Sequence, residues 1–223
     1  MARHRVSVII PNMNEKRVFE TIRDVRRLLG GAEIIVVDKS TGEFYGRLKR
    51  TGVRVLRQKD RGVAQAIMQG MRAAKGGLLA SIDADGTHDP EGLPRGIMSV
   101  ESGDADLVLG DRLGSLQQGS MGPYLWFGNR ALGIILDALY GTRLRDVTTG
   151  LFVMRREVFE SIKGLEPYNT GTAFFVAEAA KRGYRIGEVG IRYYARREGR
   201  SKLARVKFLW GLRAAWLMLV NRF

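Results

Sequence analysis

The chain has 223 residues, carries 37 Lys and Arg against 23 Asp and Glu, and contains no cysteine. Its length suits one large domain, or a domain with a short appendage, its 45% hydrophobic fraction excludes global disorder, and the missing thiols exclude disulfides, thiolate zinc sites and a cysteine nucleophile. The net charge of +14 implies an anionic partner, but the surplus is local: residues 181–223 hold twelve Lys/Arg and two acids, and so carry +10 of it.

Met1-Ala2-Arg3-His4-Arg5 leads straight into an apolar run, so no secretory signal is expected. Val6 to Pro11 reads as a buried strand ended by proline. Val18, Phe19, Ile22, Val25, Leu28 and Leu29 recur at helical spacing until Gly30-Gly31 stops them. Glu33 to Asp38 is a second buried strand, ending in a carboxylate, and Val53 to Leu56 is a short third. Val63 to Ala74 has a helical pattern. Leu78 to Ile82 is a fourth strand, followed at once by Asp83 and Asp85. Pro90 to Val100 reads as a helix with Pro94 in its first turn, and Asp106 to Gly110 as a fifth strand. The glycine-bearing stretch Arg112 to Gly122 reads as a loop. Leu125 to Tyr140 is expected to be a helix, Leu151 to Met154 a strand and Thr172 to Arg182 a helix. Arg185 to Val189 and Ile191 to Tyr194 read as short strands, and Ser201 to Val220 as a final helix. No apolar run reaches the roughly 20 residues needed to span a bilayer; the best, Phe208 to Val220, is broken by Arg213.

Strand and helix alternate over the first 110 residues, which indicates an α/β protein with a parallel sheet and helices on both faces. Ligands of such sheets bind beyond the carboxyl ends of the strands. Asn14 and Glu15 fall just past the first strand, Asp38 at the end of the second, and Asp83 and Asp85 past the fourth. In an extended chain the two acids of Asp83-Ala84-Asp85 would point to one side. Two such carboxylates favour a divalent cation, Mg²⁺ or Mn²⁺, that completes its shell with water and a substrate diphosphate. Alone, the triplet would read as a solvated turn; its place among other polar strand ends favours the metal.

Seven segments then line up with one family. They are Val8-Ile9-Ile10-Pro11-Asn12-Met13-Asn14-Glu15, Ile35-Val36-Val37-Asp38, Arg61-Gly62-Val63-Ala64-Gln65-Ala66 with Gly70, and Asp83-Ala84-Asp85 with His88 and Pro90. Gly110-Asp111-Arg112, Asp146-Val147-Thr148-Thr149-Gly150-Leu151, and Arg196 with Gly199, Ser201 and Lys202 complete the set. On these the chain resembles the inverting nucleotide-sugar glycosyltransferases with a GT-A fold. Within them it is most similar to the dolichol-phosphate mannosyltransferases and polyprenyl-phosphate glucosyltransferases. The resemblance implies a GT-A catalytic domain over residues 1–200 and a basic amphipathic membrane-interface helix over 201–223, with room for transmembrane helices beyond it in a longer chain. It implies that Pro11, Asn14, Glu15 and Gly62 shape the nucleotide pocket and that Asp38 accepts hydrogen bonds from the base. Asp83, Ala84 and Asp85 would hold nucleotide and metal at the sugar diphosphate. Arg112 and Arg130 would grip the acceptor's lipid phosphate, and Arg196, Ser201 and Lys202 would form a loop over the donor phosphates. The implied donor is a nucleotide sugar, GDP-mannose first and UDP-glucose second. The implied acceptor is a polyprenyl or dolichyl phosphate at the cytoplasmic face of a membrane. Lys39 and Thr87 depart from the pattern, standing where relatives often have a second acid and a glutamine.

An ionised phosphate acceptor needs no general base; a sugar hydroxyl acceptor would need one, and Asp146 is then the first candidate. A helix with Leu203, Val206, Leu209, Trp210, Leu212, Trp216, Leu217 and Leu219 at helical spacing, interspersed with Lys202, Arg205, Lys207, Arg213 and Arg222, suits a headgroup interface. Nucleic acid is not the expected partner, because no reader motif accompanies the charge. A sugar-1-phosphate nucleotidyltransferase and a dinucleotide-binding dehydrogenase are disfavoured by the lack of glycine in Pro11-Asn12-Met13-Asn14-Glu15.

Overall fold

The structure, a computed structural model, describes residues 5–114, 121–164 and 172–195. Seven strands form one sheet: β1 (Val6–Asn12), β2 (Glu33–Asp38), β3 (Arg54–Arg57), β4 (Leu78–Ser81), β5 (Leu107–Asp111), β6 (Phe152–Arg155) and β7 (Ile186–Gly190). Seven helices accompany them: α1 (Val18–Leu28), α2 (Glu43–Lys49), α3 (Val63–Ala73), α4 (Gly92–Glu101), α5 (Pro123–Tyr140), α6 (Arg156–Ile162) and α7 (Thr172–Lys181).

The strand order is β3-β2-β1-β4-β6-β5-β7. All neighbours pair parallel except β6, which is antiparallel to both β4 and β5. The residue alternation of β1 and β2 divides the core between the faces. Val6, Val8, Ile10, Ile34 and Val36 pack under α1 and α4 with Ile22, Val25, Leu93 and Ile97. Ile9, Ile35 and Val37 pack on the other face with Ile67 and Met71 of α3 and the Phe174-Phe175 pair of α7. Gly70 lets α3 approach that closely: a Cβ there would lie 2.6 Å from Ile9 Cγ2.

Element ends differ from the sequence reading by one or two residues, with three larger departures. Helices α2 and α6 were not expected. α2 has Gly46 in its interior and one buried side chain, Leu48, so it shows no periodicity. α6 follows β6 without an intervening turn residue, and its buried Val158, Phe159 and Ile162 merge with the strand's apolar run. Ile191 to Tyr194 is not a strand; its pairing is an isolated antiparallel bridge between Tyr193 and His88. The expected helix from Ser201 lies outside the described residues. Among the described residues no helix is long and apolar enough to cross a membrane.

Candidate active site

The antiparallel direction of β6 builds the site. Ser81 and Leu109, near the carboxyl ends of β4 and β5, both pair with Phe152, the first residue of β6. The start of β6 therefore shares an edge with the ends of its neighbours. This brings the Asp146–Gly150 segment next to Asp83 and Arg112.

At the β1–β2 end, Asp38 is fully buried. Its Oδ1 accepts hydrogen bonds from Asn12 Nδ2 and Ser40 Oγ, both at 2.7 Å, while its Oδ2 has no hydrogen-bond partner. A buried carboxylate oxygen left this way is costly unless a ligand donor reaches it, which fits the N–H edge of a base. Arg57 Nη1 stands 3.9 Å from that oxygen and also bonds the Ser40 carbonyl. Its guanidinium lies over the Tyr45 ring, 3.7 Å from the centroid. Asn14 holds a left-handed backbone with φ 57° and donates its N–H to Ser40 Oγ, and the Glu15 N–H reaches Asn12 Oδ1. Pro11 is half-buried beside Val37. Gly62, at φ 104°, precedes α3, and its carbonyl accepts Gln58 Nε2.

Ala84 and Asp85 lie in a turn that follows Asp83, so the triplet is not an extended segment. The turn still gathers the acids: one ligand atom each of Asp83, Asp85 and His88 lies within 4.8 Å of the others. Ala84 is buried beneath them. Asp85 Oδ1 accepts both the N–H and the hydroxyl of Thr87, at 3.1 and 2.7 Å, which fixes its rotamer. Thus Thr87, the departure from the family pattern, acts on an acid.

His88 is a positioning residue. Its Nε2 accepts the Gly150 N–H at 3.2 Å, so the ring proton sits on Nδ1. Nδ1 faces Thr87 Oγ1 at 3.2 Å and Asp83 Oδ2 at 3.7 Å. A ring engaged on both nitrogens keeps no lone pair for a cation. Burial, reinforced by the Arg112 charge, pushes its pKa down to about 4, so it is neutral near pH 7. The two carboxylates are the donors left to a cation in this cluster, a set that would suit a hard cation retaining water and phosphate oxygens. Gly150 closes the arrangement, because a Cβ on it would overlap the Asp83 carboxylate.

Arg112 follows β5 and is buried against Asp146. Its Nε and Nη2 bond the two Asp146 oxygens at 2.6 and 2.8 Å, and Nη2 also bonds Thr148 Oγ1 at 3.0 Å. Asn129 of α5 donates to Asp146 Oδ1 at 2.5 Å and accepts the Val147 N–H. Burial opposes ionisation of both partners, but each charge outweighs it for the other. Asp146 stays below the usual carboxylate range and Arg112 above the usual guanidinium range. The Tyr193 ring lies 5.1 Å from the Arg112 guanidinium and edge-on to His88. Glu188 of β7 accepts the N–H groups of Arg145 and Asp146 at 2.9 and 2.8 Å. Arg130, on α5, points Nη1 at the Leu144 carbonyl at 3.4 Å.

The structure thus gathers Asp83, Asp85, Arg112 and Asp146 in one constellation. Pro11, Asn14, Glu15 and Asp38 form a second group along the same edge, Gly62 begins the helix beyond β3, and Arg130 lies beside the Asp146 loop. Arg196, Ser201 and Lys202 lie outside the described residues. Sequence reasoning did not select Asn129, Glu188, Tyr193, Tyr45 or Arg57. Asn129 alone carried a signal, as a polar residue in a very apolar helix. Glu178 of α7 pairs with Arg182 one turn away.

The model of the family described as glycosyl transferase family 2 matches residues 7–163. The chain is 32% identical to the low-salt glycan biosynthesis hexosyltransferase Agl6 of Haloferax volcanii, over 97% of this chain and 53% of that protein. It is 31% identical to a dolichyl-phosphate hexose transferase of the same organism, over 89% of this chain and 86% of that one. It is also 31% identical to an undecaprenyl-phosphate mannosyltransferase of Micrococcus luteus, over 95% and 96%. The chain therefore spans about half the length of the first of these and most of the other two. Among solved structures it is similar to glucosyl-3-phosphoglycerate synthase from Mycobacterium tuberculosis in complex with Mn²⁺, UDP and phosphoglyceric acid. The TM-score is 0.74 at 20% identity, with 98% of this chain and 78% of that one covered.

Proposed function

The chain belongs to glycosyl transferase family 2 and is a glycosyltransferase with a GT-A fold; on that premise we propose that it moves a hexose, with inversion, from a nucleotide diphosphate sugar to a polyprenyl monophosphate at the cytoplasmic face of a membrane. Mannose from GDP-mannose is the favoured donor, in keeping with the mannosyltransferases among its relatives. A UDP-linked hexose stands second, since the solved neighbours bind UDP. The acceptor class follows the names of the relatives that act on dolichyl and undecaprenyl phosphates.

One observation carries the choice of acceptor. A hydroxyl acceptor would need a carboxylate free to take its proton. Asp146, the first candidate, is fully buried, bonded through both oxygens to Arg112, and held ionised below the usual range. It is therefore a poor base and a good anchor. A phosphate acceptor is ionised near neutral pH and asks only for positioning and charge complementarity.

The geometry supports the following roles. The Asp38 oxygen without a hydrogen-bond partner takes a base N–H, and Asn14, Glu15 and Pro11 shape the wall around the nucleoside. Asp83 and Asp85 hold a divalent cation, Mg²⁺ or Mn²⁺, which when bound neutralises charge on the leaving diphosphate. His88 and Gly150 keep Asp83 in place, and Thr87 keeps Asp85. Arg112, set by Asp146 and Asn129, supplies positive charge beside the acids, and with Arg130 it meets the acceptor phosphate. Arg196, Ser201 and Lys202 are assigned to the donor phosphates on the resemblance alone. The test is incubation with labelled GDP-mannose or UDP-glucose, polyprenyl phosphate and Mg²⁺ or Mn²⁺, followed by lipid extraction. Label is expected in the lipid phase with one of the donors; none from either would overturn the reading.

A further inference from the structure

Asp38 offers the nucleoside one acceptor atom. The two hydrogen bonds into this fully buried carboxylate, from Asn12 Nδ2 and Ser40 Oγ at 2.7 Å each, both end on Oδ1. A carboxylate oxygen has about two acceptor positions, so Oδ1 is saturated. The two donors are themselves fixed: Asn12 Nδ2 reaches Ser40 Oγ at 3.3 Å, and that hydroxyl accepts the Asn14 N–H at 2.7 Å. Oδ2, without a hydrogen-bond partner, is what remains for a ligand.

Arg57, the last residue of β3, places a donor beside it. Its Nη1 stands 3.9 Å from Asp38 Oδ2, beyond hydrogen-bond length, and donates to the Ser40 carbonyl. That is its one hydrogen bond among the described residues, and a guanidinium has five N–H groups in a plane, so donors remain. The Tyr45 ring of α2 holds the plane, 3.7 Å from the guanidinium carbon. The Arg57 side chain is 51% exposed while Asp38 is fully buried, so a group approaching Oδ2 from that side meets the guanidinium as well. An acceptor and a donor side by side match a ring edge with an N–H next to a C=O. Uracil has it as N3–H with a flanking carbonyl, and guanine as N1–H with O6. Cytosine and adenine present a bare ring nitrogen next to an amino group, which sets a lone pair against Oδ2 and an N–H against Arg57.

We propose that Arg57 is a specificity-determining residue for the donor base: with Asp38 Oδ2 it reads an N–H flanked by a carbonyl, admits uracil or guanine, and rejects adenine and cytosine. This deepens the functional reading above, on which the ligand is a nucleotide sugar. The saturated Oδ1 adds a finer consequence. A carboxylate that uses both oxygens takes N1–H and the 2-amino group of guanine together; this one has a single oxygen to give, so Asp38 does not read the 2-amino group.

The test is calorimetric titration of the full chain, in Mn²⁺, with UDP, GDP, IDP, CDP and ADP, on the parent and on Arg57→Ala and Arg57→Lys variants. UDP or GDP should bind most tightly, the order of the two naming the base, and CDP and ADP should bind about 100-fold or more weakly than the better of them. IDP, whose hypoxanthine keeps N1–H and O6 but lacks the 2-amino group, should bind within about threefold of GDP. Arg57→Ala should weaken the preferred nucleotide about 10- to 100-fold and narrow its lead over CDP and ADP. Melting temperature and Mn²⁺ binding should stay at the parent values, because a half-exposed side chain outside the acidic pair is removed. Arg57→Lys, which keeps the charge but not the planar fork, should fall between. CDP or ADP as the preferred ligand, or an unchanged lead in Arg57→Ala, would overturn the proposal. IDP bound more than about tenfold below GDP would overturn the single-oxygen reading of Asp38. The functional reading fails separately: a parent protein that selects these bases yet transfers sugar to no polyprenyl phosphate would sink that reading and leave the role of Arg57 standing.

Discussion

Replacing Gly150 by alanine separates activity from stability. The added methyl would overlap the carboxyl carbon and both oxygens of Asp83. Carbon and oxygen need about 3.5 Å between them, so the carboxylate must retreat by about 1 Å. Asp83 is the yielding partner: its short side chain is 34% exposed and can turn towards solvent. The overpacking then costs about 1 kcal/mol, which for a chain of this size lowers Tm by about 2–4 °C. A displacement of about 1 Å at the reacting centre costs about 100-fold in rate, equivalent to about 2.7 kcal/mol of barrier. The variant should therefore melt close to the parent while kcat/KM for sugar transfer falls about 100-fold and Mn²⁺ binds more weakly. Initial rates, calorimetry and a Mn²⁺ titration give the three values. A kcat/KM within about threefold of the parent would refute the claim that Gly150 keeps Asp83 in its working position. Unfolding with full activity per folded molecule would refute it equally.

Asp146→Ala leaves the Arg112 cation buried without its partner and should cost about 3–5 kcal/mol in urea unfolding. Because the folded Asp146 pKa lies below the ordinary 3.8, the pair's contribution is complete above that value and lost as pH falls through the lowered one. The parent should therefore lose more stability than the variant on acidification. In chelator-treated protein, His88 gives a second slope. Below its ordinary 6.5 the unfolded chain takes up a proton that the folded ring, at about 4, declines. Stability should fall as pH drops through that window, by up to about 1.4 kcal/mol per unit, and a His88→Gln variant should lack the effect. Asp85→Ala should lower kcat/KM by about 10²–10³-fold and weaken Mn²⁺ binding; parent-like turnover would remove the metal role from the acidic pair.

The strand ends were legible because each buried run closes on a polar residue. Asp38, Asp83 and Asp85 could be placed on one edge from local pattern alone. The direction of β6 was not legible, since strand pairing is set by contacts distant in sequence, yet that direction brings Asp146 and Gly150 to the same edge. Asp146 shows the limit. As a sequence position it was a candidate base, and only the bond to Arg112 distinguishes an anchor from that. By residue type alone His88 fits a ligand and a turn histidine satisfied by backbone equally, and the Gly150 N–H on Nε2 supports the second. Asn129 and Glu188 act on the Asp146 segment through backbone N–H groups, contacts that leave no mark on residue spacing.

The central claim is that a lipid phosphate oxygen, not a hydroxyl, attacks the sugar. Its most direct measurement is NMR of the lipid product formed from a matched pair of acceptors, polyprenyl phosphate and the corresponding polyprenol. The account predicts a product from the phosphate alone, with a phosphodiester ³¹P signal and the anomeric configuration opposite to that of the donor. A glycoside formed on the polyprenol, or a phosphate product with the donor's configuration retained, would contradict it.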